Sequence, residues 1–146
     1  MTIWFDMDGT IADLYGVDGW LEDIINQNPR PYIEAKPLLN LSLLARRLNK
    51  LQKKGYKIGI ISWLSKKDDI DYSVIVTKAK KKWLKKHLPS VKWDNVNIVK
   101  YGMNKWEVCG NGILFDDEEQ NRSNWKNDSY EPKEILRILK KLLDEN

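Results

Sequence analysis

The chain has 146 residues, a formal net charge of +4 and a hydrophobic fraction of 42%. This length can bury one core and no stretch has the composition of a linker, so we expect residues 1–146 to form a single domain. One cysteine excludes an internal disulfide, and the sequence has neither a run of about eighteen apolar residues nor a basic and apolar leader. We therefore expect a cytoplasmic protein with no membrane span.

The first predicted element is a buried strand that ends in two aspartates. Residues 3–5 (Ile-Trp-Phe) favour a strand covered on both faces of a parallel sheet, and Asp6 and Asp8 follow before Gly9. Ligands bind outside the carboxyl ends of such strands, where Mg²⁺ would offset the repulsion between two carboxylates. A calcium loop of the EF-hand type needs its glycine at the sixth position, whereas Gly9 is fourth from Asp6. The remaining alternative is a surface turn rich in aspartate.

The segment between Asp8 and Pro37 is short, with room for little more than one helix and a turn. Apolar residues between positions 20 and 25 predict one short helix, and residues 28–31 (Asn-Pro-Arg-Pro) predict a turn. Trp20 either packs in the core or forms, with Tyr15, a small stacking surface for a base.

A helix and a second strand come next. Apolar residues with helical spacing predict a helix from Pro37 to Lys54 that ends at Gly55, and residues 56–62 predict a strand that ends at Ser62. The Ser62 hydroxyl either binds a phosphate oxygen or only forms part of a turn. The apolar residues of this helix are Leu41, Leu44, Ala45, Leu48 and Leu51.

The middle of the chain carries most of the positive charge. A helix is predicted from Val74 to Leu88, closed by Pro89. Its lysines form either a solvated face or a surface that attracts an anionic substrate or a nucleic acid end. The predicted apolar face contains Ile75, Ala79, Trp83, Leu84 and Leu88. The lysines placed around the rest are Lys78, Lys80, Lys81, Lys82, Lys85 and Lys86.

A second apolar strand ends in carboxylates. Residues 111–117 (Asn-Gly-Ile-Leu-Phe-Asp-Asp) repeat the pattern of the first strand, and the two acidic ends should converge. Lys105 precedes Asp116 by eleven residues (116 − 105) and should lie beside the same edge, although the chain has other lysines such as Lys100. A last helix, Pro132 to Leu143, is predicted to cover the sheet with a broad apolar stripe.

The segment FDMDGT (residues 5–10) resembles motif I of the haloacid dehalogenase superfamily of aspartate-nucleophile phosphohydrolases. Ser62, Lys105 and the segment DDEEQN (residues 116–121) match the other three motifs in order. This set is most similar to the 5'(3')-deoxyribonucleotidase group and also resembles the phosphatase domains of polynucleotide kinases. The resemblance implies a three-layer Rossmann-like α/β fold with a mostly parallel central sheet and a rudimentary or absent cap.

The resemblance also implies roles for individual residues. Asp6 would attack phosphorus and Asp8 would transfer protons. Mg²⁺ would be held by Asp6, the backbone carbonyl of Asp8 and Asp116. The residues expected to bind phosphate are Thr10, Ser62 and Lys105. The residues expected to orient the metal water or the lysine from outside are Asp117 and Asn121.

The expected activity is Mg²⁺-dependent hydrolysis of a phosphomonoester, with a nucleotide or a phosphorylated nucleic acid end as substrate. Trp63 departs from the pattern, because nucleotidases usually carry a smaller or polar residue after the motif II hydroxyl. Two other functions remain open. One is a catalytically silent domain that binds nucleotides or a partner protein. The other is a basic nucleic-acid-binding module, whose affinity would depend steeply on salt.

Overall fold

The computed structural model describes residues 1–66 and 69–145. The strands are β1 (Thr2–Phe5), β2 (Ala12–Asp13), β3 (Lys36–Pro37), β4 (Lys57–Trp63), β5 (Asn95–Val99), β6 (Ile113–Phe115) and β7 (Ser129–Tyr130). The α-helices are α1 (Trp20–Ile25), α2 (Arg30–Glu34), α3 (Leu41–Lys53), α4 (Ile70–His87), α5 (Lys105–Cys109), α6 (Glu119–Asn124) and α7 (Ile135–Asp144). Short 3-10 turns cover Leu14–Gly16 and Pro132–Glu134.

Among the described residues, five parallel strands form the central sheet in the order β5-β4-β1-β6-β7. Phe5 of β1 lies opposite Ile60 of β4 and Phe115 of β6. This register brings the carboxyl ends of the three central strands to one edge. The predicted α/β class with a mostly parallel sheet is confirmed, and every pairing in this sheet is parallel.

Strand β1 is covered on both faces, as its continuous apolar sequence predicted. Ile3 and Phe5 belong to a buried cluster that contains side chains of α3, the carboxyl half of α4 and α7. Trp4 belongs to a second cluster, with Leu114 of β6 and Trp125, against which residues of α5 pack. A Cβ atom at Gly59 would lie 2.5 Å from the Trp4 ring, so glycine on β4 makes room for the indole. These two clusters make a three-layer structure.

The predicted helices exist, but their ends differ from the prediction. Helix α3 begins at Leu41 and not at Pro37, because the Asn40 side chain accepts a hydrogen bond from Leu43 N at 3.0 Å. Helix α4 begins four residues before Val74, because the Asp69 carboxylate caps Tyr72 N at 3.0 Å. The last helix starts with a 3-10 turn, and its apolar stripe packs on the core as predicted.

The segment between β1 and α3 forms a small cap. Strands β2 and β3 pair antiparallel and carry α1 and α2 between them, so one predicted short helix and a turn are in fact two helices. Arg30 of α2 joins the two helices through Asp23 Oδ2 of α1 at 2.6 Å, and it also contacts Glu34 Oε2 of its own helix at 2.8 Å. Tyr32 of the cap packs in a buried cluster with Tyr72 of α4. The predicted rudimentary cap is therefore a compact unit that rests on α4.

No helix within residues 1–66 and 69–145 is both long and apolar enough to cross a bilayer.

Candidate active site

The candidate site lies where the central strands end. Asp6 follows β1 directly and donates its backbone N–H to Phe115 O at 2.9 Å, which continues the β1–β6 ladder by one residue. Asp116 follows β6 and donates its N–H to Tyr130 O at 3.1 Å. Ser62 lies near the end of β4 and is fully buried. The parallel register therefore brings Asp6, Ser62 and Asp116 together, as the sequence predicted for strand ends.

A tight turn after Asp6 shapes the site. Gly9 has φ +80°, a conformation that side chains disfavour, and a Cβ atom there would collide with the carboxylate of Asp117. Hydrogen bonds to Met7 O close the turn, and one of them comes from Ile11 N at 3.0 Å. Gly9 thus permits both the turn and the close approach of the second acidic strand end.

Lys105 links the two acidic strand ends. It begins the short helix α5, where the Asn104 side chain caps Trp106 N at 3.0 Å. Its ammonium group donates to Asp116 Oδ2 at 2.6 Å and to Asp6 Oδ1 at 3.1 Å. Burial alone would lower the pKa of Lys105, but the charges of Asp6 and Asp116 outweigh burial and raise it. Lys105 is therefore a fixed cation between two carboxylates.

Asp116 and Asp117 have different surroundings. Asp116 is fully buried; its Oδ1 accepts from Glu118 N at 2.9 Å, and its Oδ2 accepts from Lys105 and from Asn121 Nδ2 at 3.2 Å. Asp117 is the more exposed of the two. Asn121 thus contacts the carboxylate that holds Lys105, and its role in orienting the lysine or the metal water stays a prediction.

Three carboxylates form a group that could hold a metal ion. One oxygen from each of Asp6, Asp116 and Asp117 lies within 4.8 Å of the others. The Asp117 carboxylate lies beside Asp6, and both Asp116 oxygens accept hydrogen bonds. The predicted assignment, with Asp116 as a ligand and Asp117 outside the metal's ligands, stays a prediction. Asp8 does not contribute its carboxylate to the group; its predicted contribution is a backbone carbonyl, which stays a prediction.

The charges at the whole site, with Asp8 included, fit a divalent cation. When ionised, Asp6, Asp8, Asp116 and Asp117 carry four negative charges, against two positive charges on the buried lysines that contact them. Burial raises the pKa of Asp117 to about 8 and that of Asp116 to about 6, and the charge of Asp6 adds to both shifts. The excess negative charge and the oxygen donors suit Mg²⁺.

Thr10 connects Asp6 to Asp117. Its hydroxyl lies 3.0 Å from Asp6 Oδ2 and 3.3 Å from Asp117 Oδ1, and it accepts a hydrogen bond from Asp117 N at 3.2 Å. Thr10 is 1% exposed. These contacts give its hydroxyl a role in orienting carboxylates, whereas the predicted contact with phosphate stays a prediction.

The structure brings a further lysine, Lys80, into the site. Lys80 was assigned to the outer surface of α4, but it is 1% exposed and its ammonium group lies 2.9 Å from Asp8 Oδ2. The inward face of α4 passes through Val76, Lys80 and Trp83, whereas the predicted inward residue Ile75 is 45% exposed. The spacing from Val76 to Lys80 and Trp83 was the available signal, and it was hidden among consecutive lysines.

An apolar cavity of about 550 Å³ opens from the carboxylates towards the cap. Asp6, Asp8 and Lys105 line its inner end. Its walls are largely apolar and aromatic, and the Tyr15 and Trp20 rings meet edge to face with centroids 4.9 Å apart. Trp20 is therefore a wall of this cavity, whereas the stacking of a base on it stays a prediction. Wall residues include Leu14, Tyr15, Trp20, Ile24, Tyr32 and Trp63.

The pKa of Asp117 leads to a prediction on stability without metal. The carboxyl group titrates at about 8 in the folded protein and near 3.8 in the unfolded chain. Between pH 7 and pH 9 the folded protein thus loses a proton that the unfolded chain has already lost, so the free energy of unfolding falls as pH rises. We expect the Tm in EDTA to be lower at pH 9 than at pH 7.

Excess Mg²⁺ should remove most of this pH dependence, because a bound cation favours the ionised carboxylates. Thermal unfolding of wild type and Asp117→Asn at both pH values checks this. His87 does not interfere, since burial lowers its pKa further below this window. A metal-free Tm that rises between pH 7 and pH 9 would contradict the assignment of the shift to Asp117.

No family model and no characterised protein matches this sequence. Among solved structures, the chain is similar to the crystal structure of a D,D-heptose 1,7-bisphosphate phosphatase from Burkholderia thailandensis. The TM-score is 0.53, the sequence identity is 11%, and the alignment covers 99% of each chain. At this identity the likeness establishes the fold. The chain has a Rossmann-like fold of the haloacid dehalogenase type.

Proposed function

We propose that the protein is a metal-dependent phosphomonoester hydrolase of the haloacid dehalogenase superfamily and that it forms an aspartyl-phosphate on Asp6. The carboxylates of Asp6, Asp116 and Asp117, gathered around Lys105 at the carboxyl end of a parallel sheet, carry this proposal. Each residue comes from a motif that resembles those of the superfamily, and the fold agrees. The single domain and the cytoplasmic location expected from the sequence remain parts of the proposal.

The reaction has two displacements. A carboxylate oxygen of Asp6 attacks phosphorus, the Asp6–phosphorus bond forms, and the ester bond to the leaving oxygen breaks. Asp8 donates a proton to that oxygen. Asp8 then accepts a proton from the water that attacks phosphorus, the Asp6–phosphorus bond breaks, and inorganic phosphate leaves. Burial raises the pKa of Asp8, partly offset by Lys80, and so favours the protonated form that the first displacement needs.

Cationic and hydroxyl donors would hold the phosphoryl oxygens. Lys105 lies 3.1 Å from Asp6 Oδ1 and also borders the cavity, so it can neutralise charge on the transferred group. Ser62 would donate its hydroxyl proton to another oxygen. Mg²⁺ would be held by Asp6, the acidic pair Asp116 and Asp117, and the backbone carbonyl of Asp8, and it would neutralise charge between nucleophile and phosphate.

The cavity supports a nucleotide, or a phosphorylated nucleic acid end, as substrate. Its volume is in the range of small-molecule sites, and its walls offer aromatic rings in place of many polar groups. A base stacked on Tyr15, Trp20 or Trp63 would gain roughly 1 to 3 kcal/mol. Beyond Asp6, Asp8 and Lys105, the polar lining residues that could bind the hydroxyl groups of a free sugar phosphate are Ser65, Lys66, Glu118 and Asn121.

A substrate panel tests this proposal. With Mg²⁺ present, we expect kcat/KM for deoxynucleoside monophosphates or 3'-phosphorylated DNA ends to exceed that for a hexose phosphate by about tenfold or more, which corresponds to roughly 1.4 kcal/mol of differential binding in the transition state. EDTA should abolish turnover of every substrate. Hydrolysis of a hexose phosphate at an equal or higher rate would refute the nucleotide assignment.

The same panel tests the role of the lysine-rich surface of α4. Lys81, Lys82, Lys85 and Lys86 are exposed, so they are accessible to an anionic substrate. If they attract it, their joint neutralisation should lower kcat/KM for DNA ends most at low salt. An unchanged rate would leave them as a solvated face. A gel shift without any phosphatase activity would favour the nucleic-acid-binding alternative.

A further inference from the structure

Lys80 is a buried cation at the second aspartate of the site. Its ammonium group lies 2.9 Å from Asp8 Oδ2, 2.7 Å from Ser62 Oγ and 2.6 Å from the backbone carbonyl of Trp63. The ring of Tyr32 in the cap has its centroid 5.3 Å from the same nitrogen. One lysine on α4 thus contacts the proposed proton donor, the proposed phosphate-binding hydroxyl and the cap.

The hydrogen bonds of Lys80 are complete without substrate. An ammonium group has three N–H donors and no acceptor, and three acceptors lie within hydrogen-bond distance. Lys80 therefore differs from Lys105, which contacts the nucleophile itself. To bind a phosphate oxygen directly, Lys80 would have to give up one of these bonds.

The direction of these bonds sets what its partners can do. Because Ser62 Oγ accepts a hydrogen bond from Lys80, the hydroxyl proton of Ser62 remains available to donate to a phosphoryl oxygen. Because Lys80 holds Oδ2 of Asp8, the carboxyl group of Asp8 is fixed in one orientation beside the cavity. Lys80 thus fixes the orientation of two groups, the Ser62 hydroxyl and the Asp8 carboxyl group, and the proposed reaction uses both.

The position of Lys80 on its helix argues against a packing role. It shares the inward face of α4 with Val76, Trp83 and Leu84. An apolar side chain at this position would be buried without the cost of dehydrating a charged group. Burying an ammonium group is costly unless its donors are all bound. The three polar contacts offset this cost.

We infer that Lys80 is a positioning residue that holds the Asp8 carboxyl group and the Ser62 hydroxyl in fixed relation to each other, so that leaving-group protonation and phosphate binding occur in one geometry. This inference rests on the proposed function, since it assigns Asp8 the leaving oxygen. It adds a residue that lies outside the four motifs seen in the sequence.

The test compares two substrates that differ in leaving-group acidity. Phenyl phosphate needs a proton on its leaving oxygen, whereas p-nitrophenyl phosphate has a leaving group stable enough to depart with little help. Both are flat aromatic esters that suit the same cavity. If Lys80 positions Asp8, Lys80→Met should lower kcat/KM, which reports the first displacement alone, for phenyl phosphate by about 100-fold, the lower end of the usual contribution of general acid catalysis. The loss for p-nitrophenyl phosphate should stay below about tenfold.

Three further variants complete the test. Lys53→Met removes an exposed lysine of α3, outside the site and the lysine-rich surface, and should leave both rates unchanged. In an Asp8→Asn background, Lys80→Met should no longer change the ratio of the two rates, because the two residues act as one unit. Lys80→Arg decides the question by the same ratio if Lys80→Met does not fold, since its planar donors cannot reproduce the three contacts.

Equal losses on both substrates, or a ratio that changes to the same extent in the Asp8→Asn background, would overturn the inference. A wild-type protein that hydrolyses neither ester with Mg²⁺ present would instead overturn the proposed function.

Discussion

Asp6→Asn is expected to reduce phosphomonoester hydrolysis to the level of the uncatalysed background, whereas Asp8→Asn should retain a slow transfer of phosphate to the protein. An asparagine amide at position 6 cannot form the acyl phosphate, so neither displacement proceeds. Asparagine at position 8 removes only proton transfer, which usually contributes about 10²- to 10⁴-fold. Good leaving groups should therefore still phosphorylate Asp6.

Mass spectrometry of acid-quenched reactions measures this directly. Asp8→Asn mixed with p-nitrophenyl phosphate and Mg²⁺ should gain the mass of one phosphoryl group, and peptide mapping should locate it on Asp6. Asp18→Asn provides a matched control, because Asp18 is an exposed aspartate of the cap and should leave turnover unchanged. Near wild-type turnover by Asp6→Asn in the presence of metal would refute the covalent mechanism.

The sequence predicted β1, β4 and β6, because these strands are short apolar runs with acidic or hydroxyl ends, whereas the edge strands β5 and β7 of the described sheet lack that pattern and were not predicted. Residues 3–5 and 113–115 are buried strands as expected, since a short apolar run that ends at a charged residue is typical of a buried strand. The spacing of apolar residues located helices α3 and α4, but it did not predict where they begin. Those ends depend on capping by Asn40 and Asp69, which apolar periodicity does not report.

The candidate site was predicted in part for the same reason. Strand ends bring Asp6, Ser62 and Asp116 to one edge by topology alone, and Lys105 follows from its place before β6. Lys80 reaches the site from the middle of a helix, so its role depends on which face of α4 points inward. That face is shifted by one residue from the predicted one. In a run of consecutive lysines, local composition cannot distinguish the inward one.

The different surroundings of Asp116 and Asp117 depend on three-dimensional contacts that two adjacent aspartates do not reveal in sequence. Both oxygens of Asp116 are bound, by Glu118 N, Lys105 and Asn121, whereas Asp117 lies beside Asp6 and Thr10. Asp117 therefore has more freedom to coordinate a cation, and Asp116 holds Lys105 in place. We therefore expect Asp117→Asn and Asp116→Asn to differ in their effect on the stability of the metal-free protein.

Asp117→Asn should weaken Mg²⁺ binding by about 100-fold or more, since loss of even an indirect partner commonly costs 10- to 100-fold. The same change should leave the Tm in EDTA equal or higher, because it removes a carboxyl group that burial and Asp6 destabilise in its charged form. Asp116→Asn should instead lower the free energy of unfolding by about 3 kcal/mol, since it breaks a fully buried pair with Lys105.

Isothermal titration with Mg²⁺ and thermal unfolding in EDTA measure both effects on the same samples. Glu119→Gln is the matched control, because Glu119 is an exposed carboxylate of the same segment and should change neither quantity. Wild-type Mg²⁺ affinity in Asp117→Asn, together with lost affinity in a stably folded Asp116→Asn, would keep Asp116 as a metal ligand and place Asp117 outside the ligands. That result would change the ligand assignment but keep the nucleophile, because Asp6 borders both carboxylates in either arrangement.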